Sequence, residues 1–237
     1  MSRYRVVRAL LATAAGALLL AACGGGGASN GISAKSANEI LSAVVKAVDA
    51  AQSAHVTGHL VNGGRTADLD LTLFKNGDVD GTFGVGGGNG RMLVVGKSEY
   101  FKGSTNFWQN LSSFGGSALP QSTASRLAGN WIKVPGGSSG LGAFSLQGLG
   151  KSLATGTSKH PPKRAGTKTV DGQSAVGITE AGQGTMWVAT TGTAYPIELV
   201  KITGKNTERI TFSSWNEGSP PSAPSGAKTI QQLLGLG

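Results

Sequence analysis

Apolar residues follow a helical spacing in one early segment of the chain. Four of them stand at positions i, i+3, i+4 and i+7, namely Leu41, Val44, Val45 and Val48. This spacing predicts an amphipathic helix that ends near Ser53. Ser36 is suited to be its N-cap, because Glu39 follows three residues later and completes a capping box.

The spacing then changes to two. Apolar residues alternate with Asp and Thr from Ala67 to Leu73, and again from Val79 to Val85. Such alternation predicts strands with one buried face and one solvated face. Asn76-Gly77 between the two segments is a strong hairpin signal. Shorter versions of the pattern predict strands at Val56–Leu60, Met92–Val95 and Glu99–Lys102.

The middle of the chain interrupts this alternation. Between residues 104 and 157, helical spacing returns in the segments 123–127 and 144–153, with a short extended piece at 131–135 between them. The strand pattern resumes at Lys163. It predicts five more strands, at 163–170, 174–180, 184–190, 197–203 and 208–215.

This order of elements predicts an α+β protein with a single curved antiparallel sheet and helices that cover its concave face. A closed barrel is the alternative. The folded domain spans residues 36–216, with a helical insertion at about 104–157. The Pro-rich tail at 217–237 either lies along a surface of the domain or is mobile.

The N-terminus carries the features of an export signal. Arg3, Arg5 and Arg8 precede an apolar run that is too short to span a bilayer as a permanent helix. The segment Leu20-Ala21-Ala22-Cys23 resembles the bacterial lipobox, in which a diacylglycerol is attached to the cysteine. We therefore expect a signal peptide at 1–22 and lipid attachment at Cys23, which two acyl chains would hold stably in a membrane. The alternative is an ordinary secreted protein with an inert thiol.

Composition agrees with a location on the extracytoplasmic face of the cell membrane. Without residues 1–22 the chain has 18 Lys and Arg against 12 Asp and Glu, a positive balance that suits an anionic membrane surface. We expect no nucleic-acid partner, because the chain is exported. The only cysteine excludes an intrachain disulfide. The Gly- and Ser-rich segment 23–35 is typical of a flexible tether.

Motifs for catalysis and metal binding fail on inspection. Gly136-Gly137-Ser138-Ser139-Gly140 matches the pattern of a hydrolase nucleophile, but no Asp or Glu lies between Ser138 and His160 to complete a triad. His55 and His59 lie in a predicted strand, where four residues span about 13 Å, too far for one zinc ion. The carboxylates Asp68, Asp70, Asp78 and Asp80 suit a solvated face better than a calcium loop. We expect no enzyme activity, no metal and no cofactor apart from the lipid on Cys23.

Several segments together resemble a known protein family. They are the lipobox, Gln52–Val56 at the end of the helix, Tyr100–Gly103 with Phe107-Trp108, Trp131–Pro135, and the strand that ends at Trp215 before the Pro-rich tail. In order and aromatic placement, roughly residues 36–235 resemble the actinobacterial LppX/LprG-type lipoproteins. That family is similar in fold to the LolA/LolB lipoprotein carriers and to related periplasmic sensor domains.

The resemblance implies a half-barrel sheet whose helices close over an apolar cavity for acyl chains. Members of the family carry or present lipids and glycolipids, and they have no catalytic residues to transfer. Ten residues would then line the cavity, unless all of them are ordinary core: Leu69, Leu71, Leu73, Val79, Phe83, Val85, Phe144, Leu146, Leu149 and Leu153. The expected function is lipid or glycolipid binding, and carriage, without catalysis. The alternative is a non-carrier envelope sensor or protein-interaction module with a filled sheet interior.

Overall fold

A computed structural model of the 237-residue chain describes residues 28–62, 65–114, 119–135, 145–155, 161–182, 184–204 and 206–235. Five α-helices lie in these segments: α1 (Ala37–Ala50), α2 (Thr105–Phe114), α3 (Gln121–Leu127), α4 (Leu146–Thr155) and α5 (Ile230–Leu234). The strands are β1 (Ser53–Asn62), β2 (Arg65–Phe74), β3 (Val79–Val85), β4 (Gly88–Val95), β5 (Ser98–Gly103), β6 (Ile132–Pro135), β7 (Lys163–Val170), β8 (Gln173–Glu180), β9 (Gly184–Ala189), β10 (Pro196–Thr203) and β11 (Asn206–Ser213).

The described strands form one antiparallel sheet in the order β6-β5-β4-β3-β2-β1-β11-β10-β9-β8-β7. β1 and β11 pair at the centre, so that the first and last strands of the domain join its two halves. β6 and β7 are the two edges and do not pair with each other. The sheet is therefore open, which confirms the predicted α+β half-barrel and excludes the closed barrel.

The period-two pattern places apolar side chains on the inner face of the sheet, against the helices. Leu69, Leu71 and Leu73 on β2 are each less than 5% exposed. Asp68 and Asp70, which alternate with these leucines, point to the outer, solvated face. Successive side chains of a strand point to opposite faces, so a sequence that alternates in this way has only one register that buries its apolar set.

Helix α1 begins as its sequence predicts, whereas its buried stripe includes Ile40 and leaves Leu41 and Val45 half-buried. The Glu39 backbone N–H donates to Ser36 Oγ, and the Glu39 carboxylate accepts hydrogen bonds from the Ser36 hydroxyl (2.6 Å) and backbone N–H (2.9 Å). These hydrogen bonds lower the pKa of Glu39. Ile40, Val44 and Val48 form the buried stripe, at most 1% exposed. The helix ends at Ala50, before the predicted end, because β1 already begins at Ser53.

Helix α2 packs on β3, β4 and β5 in the β1–β6 half of the sheet. Phe107 is fully buried and Trp108 is 5% exposed, and their rings meet edge to face with centroids 5.5 Å apart. The Phe107 ring lies against Gly90 and Gly103: a methyl group at Gly103 would come within 2.2 Å of Phe107 Cδ1. Because these two glycines have no side chains, they leave a space on the sheet surface, and the Phe107 ring fills it.

The predicted tether is shorter than residues 23–35. Ser29 forms a bridge with Thr191, the Asn30 side chain donates to the Ala189 carbonyl at 3.0 Å, and Ile32 is 2% exposed in the main core. The tether prediction is therefore wrong for residues 29–35. Ile32, together with hydrogen bonds to backbone groups of the sheet, fixes this Gly- and Ser-rich segment to the domain.

The Pro-rich tail lies along the domain, one of the two alternatives drawn from its composition. Ser53 Oγ donates to the Glu217 carbonyl (2.5 Å), and Lys228 exchanges backbone hydrogen bonds with Trp131 (2.9 Å) and Lys133 (2.8 Å). α5 then packs on α3 and β6. The tail thus covers part of the β6 edge, whose free N–H and C=O groups would otherwise invite pairing with another chain.

Candidate functional site

A cavity of about 250 Å³ lies between α1 and α4 on one side and strands β8–β11 on the other. It occupies the inner face of the second half of the sheet, the half that α2 does not reach. Its described lining consists of Leu41, Leu149, Ser152, Leu153, Pro162, Ile178, Thr179, Glu180, Gly184, Met186, Pro196, Leu199, Ile210 and Phe212.

The sheet wall of the cavity is a row of apolar side chains across four strands. Ile178 pairs with Met186, Met186 with Leu199, and Leu199 with Ile210, so the four side chains stand side by side on the inner face. Phe212, two residues beyond Ile210, extends the row by one layer. Leu199 and Ile210 are only half-buried, because the space above them is unfilled.

The helical wall comes from α4, with Leu41 of α1 beside it. Leu149 and Leu153 stand one turn apart and point at the sheet. Gly150 lets the two helices approach closely, since a methyl group there would lie 2.6 Å from Asp49 Oδ1 on α1. Because α4 carries leucines and glycines and no aromatic residue, it covers this half of the sheet without filling it.

One end of the cavity is polar. Thr179, Glu180 and Gly184 at the β8–β9 turn line this end. Ser152 of α4 also lines the cavity and is exposed, so the rim reaches the surface of the domain. Thr179 Oγ1 donates to the Gly184 carbonyl at 3.0 Å across the β8–β9 hairpin. The cavity therefore offers an apolar interior and a polar rim, an arrangement that suits an amphipathic ligand.

The helical part of the predicted lining falls in three different places. Leu149 and Leu153 line the cavity. Leu146 is 3% exposed and belongs to the packed core. Phe144 and the lipid-attachment residue Cys23 lie outside the described residues.

The sheet part of the predicted lining requires a correction. Six residues were expected to form it, and all are buried core residues, 1–4% exposed, that do not line this cavity: Leu69, Leu71, Leu73, Val79, Phe83 and Val85. They stand on β2 and β3 and belong to one core cluster with Phe107 and Trp108 of α2. The sheet wall instead comes from β8–β11. The sequence feature that could have located this wall is the difference between the two helices. α2 has aromatic packing residues, whereas the packing residues of α4 are only leucines and glycines.

The outer face of the first half carries His55 and His59 together with Asp68, Asp70 and Asp80. His55 Nε2 lies 2.8 Å from Asp70 Oδ1, and His59 Nδ1 lies 2.7 Å from Asp68 Oδ1, with all four side chains at least 32% exposed. In the part of the chain that the structure describes, no three His, Cys, Asp or Glu side chains converge as a metal site would require. The Gly136–Gly140 motif lies outside that part.

The outer face of the second half is built differently. Glu198 is 2% exposed and forms ion pairs with Lys168 and Arg209 on the strands around it. Lys168 Nζ also lies 4.4 Å from the centroid of the Trp187 ring. Desolvation of the ammonium group, together with the Arg209 guanidinium, lowers the pKa of Lys168, which Asp171 partly opposes.

Among solved structures, the chain is similar to LprF from Mycobacterium bovis, with a TM-score of 0.50 and 18% identity over 81% of this chain and 97% of that chain. It is also similar to the lipoprotein LppX of Mycobacterium tuberculosis (TM-score 0.46, 17% identity, 77% of this chain and 97% of that one). A third similar structure is MucB in its complex with MucA from Pseudomonas aeruginosa (TM-score 0.36, 16% identity, 83% and 60%).

No protein-family model matches the sequence, and no curated protein matches it. The similarity to LprF confirms, at the level of the fold, the resemblance to LppX/LprG-type lipoproteins. Among the helices of the described residues, none combines the length and the apolar character that a membrane span requires.

Proposed function

We propose that this protein is a membrane-anchored extracytoplasmic lipoprotein that binds a lipid or glycolipid in the cavity between α4 and β8–β11, and carries it without catalysis. The observation that supports this most directly is the cavity itself. A row of apolar side chains forms its sheet wall, leucines form its helical wall, and polar residues line its rim. Burial of an acyl chain there would contribute about 0.8 kcal/mol per CH₂ group.

Cavity size bears on how much of a ligand enters. About 250 Å³ is slightly below the range of about 300–1,000 Å³ that is usual for small-molecule sites. The apolar part of one acyl chain would occupy the interior, and the headgroup would remain at the rim near Ser152 and Glu180. His55 and His59 lie on the opposite face of the sheet from this ligand, so they take no part in its binding.

The anchor is a separate part of the proposal and rests on the lipobox alone. Cys23 would carry the diacylglycerol, and residues 24–28 would connect it to the point where the chain joins the sheet. Mass spectrometry of the protein purified from membranes tests this part by itself, since a diacylated Cys23 at the mature N-terminus adds the mass of two acyl chains.

The filled interior of the β1–β6 half favours a second candidate, a non-carrier envelope sensor or protein-interaction module. Purification of the full chain from the host membrane, followed by organic extraction and mass spectrometry, distinguishes the two. Lipid carriage predicts a co-purifying acyl lipid and a rise in melting temperature when that lipid is added back. A lipid-free protein whose melting temperature does not respond to added lipid would favour the sensor.

A matched pair of variants locates the bound lipid. Leu199 lines the cavity, whereas Val200, the next residue of β10, points to the outer face. Leu199→Trp fills the cavity and is expected to abolish lipid co-purification, while Val200→Trp retains it. Equal lipid content in the two variants, with melting curves that show both are folded, would place the lipid elsewhere.

A further inference from the structure

The outer face of β7–β11 carries an apolar group that the fold does not need. Ile202 is 71% exposed, the only large hydrophobic residue of the described chain that is exposed. It lies near the end of β10, on the same face as Val200 and Glu198. A single exposed isoleucine is ordinary, so its meaning depends on what surrounds it.

An indole ring lies on the same face, and it lines the same shallow depression as Ile202. Trp187 crosses over Gly177 of β8, where a methyl group would come within 2.8 Å of the ring. The absence of a side chain at Gly177 allows the ring to lie flat on the sheet, only half-buried. Trp with an adjacent Lys is the combination that favours the interface between water and lipid.

The charges around these two residues are mostly positive. Lys168 and Arg209 together carry one more charge than the single carboxylate of Glu198, with which both form ion pairs. Lys201 and Glu180 also line this shallow depression and add one charge of each sign. The outer face of β2 and β3 instead presents a row of three carboxylates, which we call the acidic band: Asp68, Asp70 and Asp80. The outer surface of the sheet is therefore positive near Ile202 and acidic three to four strands away.

The chain joins this half of the sheet at the end opposite to Ile202. Ser29 pairs with Thr191, and the Asn30 side chain donates to the Gly192 carbonyl at 3.0 Å. Trp187 is four residues from Thr191 along the strand direction, about 13 Å. From Ser29 to Cys23 there are six Cα–Cα steps, which span at most about 20 Å. A lipid on Cys23 would hold the second half of the sheet close to the bilayer.

We propose that the outer face of β7–β11, with Ile202 and Trp187 as apolar contacts and Lys168 and Arg209 as basic contacts, rests on the surface of an anionic lipid bilayer. This inference depends on the anchor at Cys23 in the proposed function. Val200 pairs with Thr185 at the end of the sheet where Gly184 and Glu180 form the cavity rim. The same docking therefore brings the rim next to the membrane from which a lipid would enter.

Site-specific quenching on vesicles tests the proposal, because a lipidated Cys23 leaves any introduced cysteine as the only free thiol. Thr207 is exposed and pairs with Ile202, and Thr82 is an exposed threonine within the acidic band. Thr207→Cys and Thr82→Cys, each in the full lipidated chain and labelled with the same fluorophore, are reconstituted in vesicles of equal phosphatidylglycerol and phosphatidylcholine that contain a nitroxide lipid.

The proposal predicts strong quenching at position 207 and weak quenching at 82. Addition of Ile202→Ser should reduce the signal at 207 without unfolding the protein, and so should high salt, which screens the basic contacts. Quenching that is equal at the two positions, or stronger at 82, would overturn the proposal. Failure of the anchor would be seen separately, as the absence of acyl mass on Cys23 and the loss of vesicle association by both labelled proteins.

Discussion

The two halves of the sheet have the same strand pattern and different interiors. In the β1–β6 half, Phe107 of α2 is fully buried over Gly90 and Gly103, and no comparable aromatic residue comes from α4 in the other half. The β7–β11 half keeps a cavity of about 250 Å³. Two halves of one antiparallel sheet can therefore differ, one a packed core and the other a binding site, and the residues of the covering helix decide which.

The largest effect is expected where the filled half depends on one side chain. Phe107→Ala should destabilise the protein by about 3–5 kcal/mol, because it removes a fully buried ring and leaves a cavity between α2 and the sheet. Urea unfolding followed by circular dichroism measures the change. Leu153→Ala is the control in the cavity half, and it should cost clearly less, since Leu153 is only half-buried. Equal losses would mean that the two halves are packed alike.

Enlarging a side chain should separate the two halves in the opposite way. Leu71→Phe adds volume to a residue that is 1% exposed in the filled half, and overpacking of this kind costs about 1–3 kcal/mol. Leu199→Phe adds the same volume next to the cavity, where we expect a loss of less than about 0.5 kcal/mol. Comparable losses in urea unfolding would contradict an unfilled space beside Leu199.

A glycine in each half gives a finer comparison. Gly103→Ala would place its methyl group 2.2 Å from the Phe107 ring, which must shift, so a loss of about 1–3 kcal/mol is expected. Gly150→Ala meets only the carboxylate oxygen of Asp49, which can rotate away, and alanine favours a helix by about 1 kcal/mol over glycine. Thermal melting should show a clear decrease for the first variant and no decrease for the second.

The smallest predicted effect concerns the start of α1, which packs against α4 and so supports the roof of the cavity. The pKa of Glu39 is lowered by its hydrogen bonds with Ser36. The stabilisation it provides is therefore present above the pKa of the unfolded chain and is lost as the pH falls through the lower folded value. Glu39→Gln keeps a side chain that completes a capping box, so the melting temperature should drop slightly at pH 7 and should not differ from the wild type near pH 2.

Much of the fold could be predicted from the sequence because the information is local. Alternation at 67–73 and 79–85, the Asn76-Gly77 hairpin and the Ser36 capping box each depend on residues that are near neighbours in the chain. The pairing of β1 with β11 and the attachment of Asn30 to the sheet depend on contacts between residues 150 or more positions apart. No local pattern encodes them.

The location of the cavity could not be predicted for the same reason. The alternation on β2 and β3 is stronger than that on β8–β11, and it led to a sheet wall at Leu69 and Phe83 that the structure shows to be packed core. Whether an apolar face is filled depends on which helix crosses it. The one sequence feature that indicates which half is filled is the composition of the two helices, since α2 is aromatic and α4 is rich in Gly and Leu.

The central claim, that lipid binds in the β7–β11 half, is tested most directly by the two methionines of the domain. Met186 lines the cavity, and Met92 is fully buried in the filled half. Delipidated full chain labelled at the methionine methyl groups is titrated with lysophosphatidylglycerol and followed by NMR. If lipid binds in this half, the Met186 methyl resonance should shift as the site saturates, while that of Met92 should not. A shift at Met92 alone, or at neither methionine under conditions where the lipid binds, would contradict it.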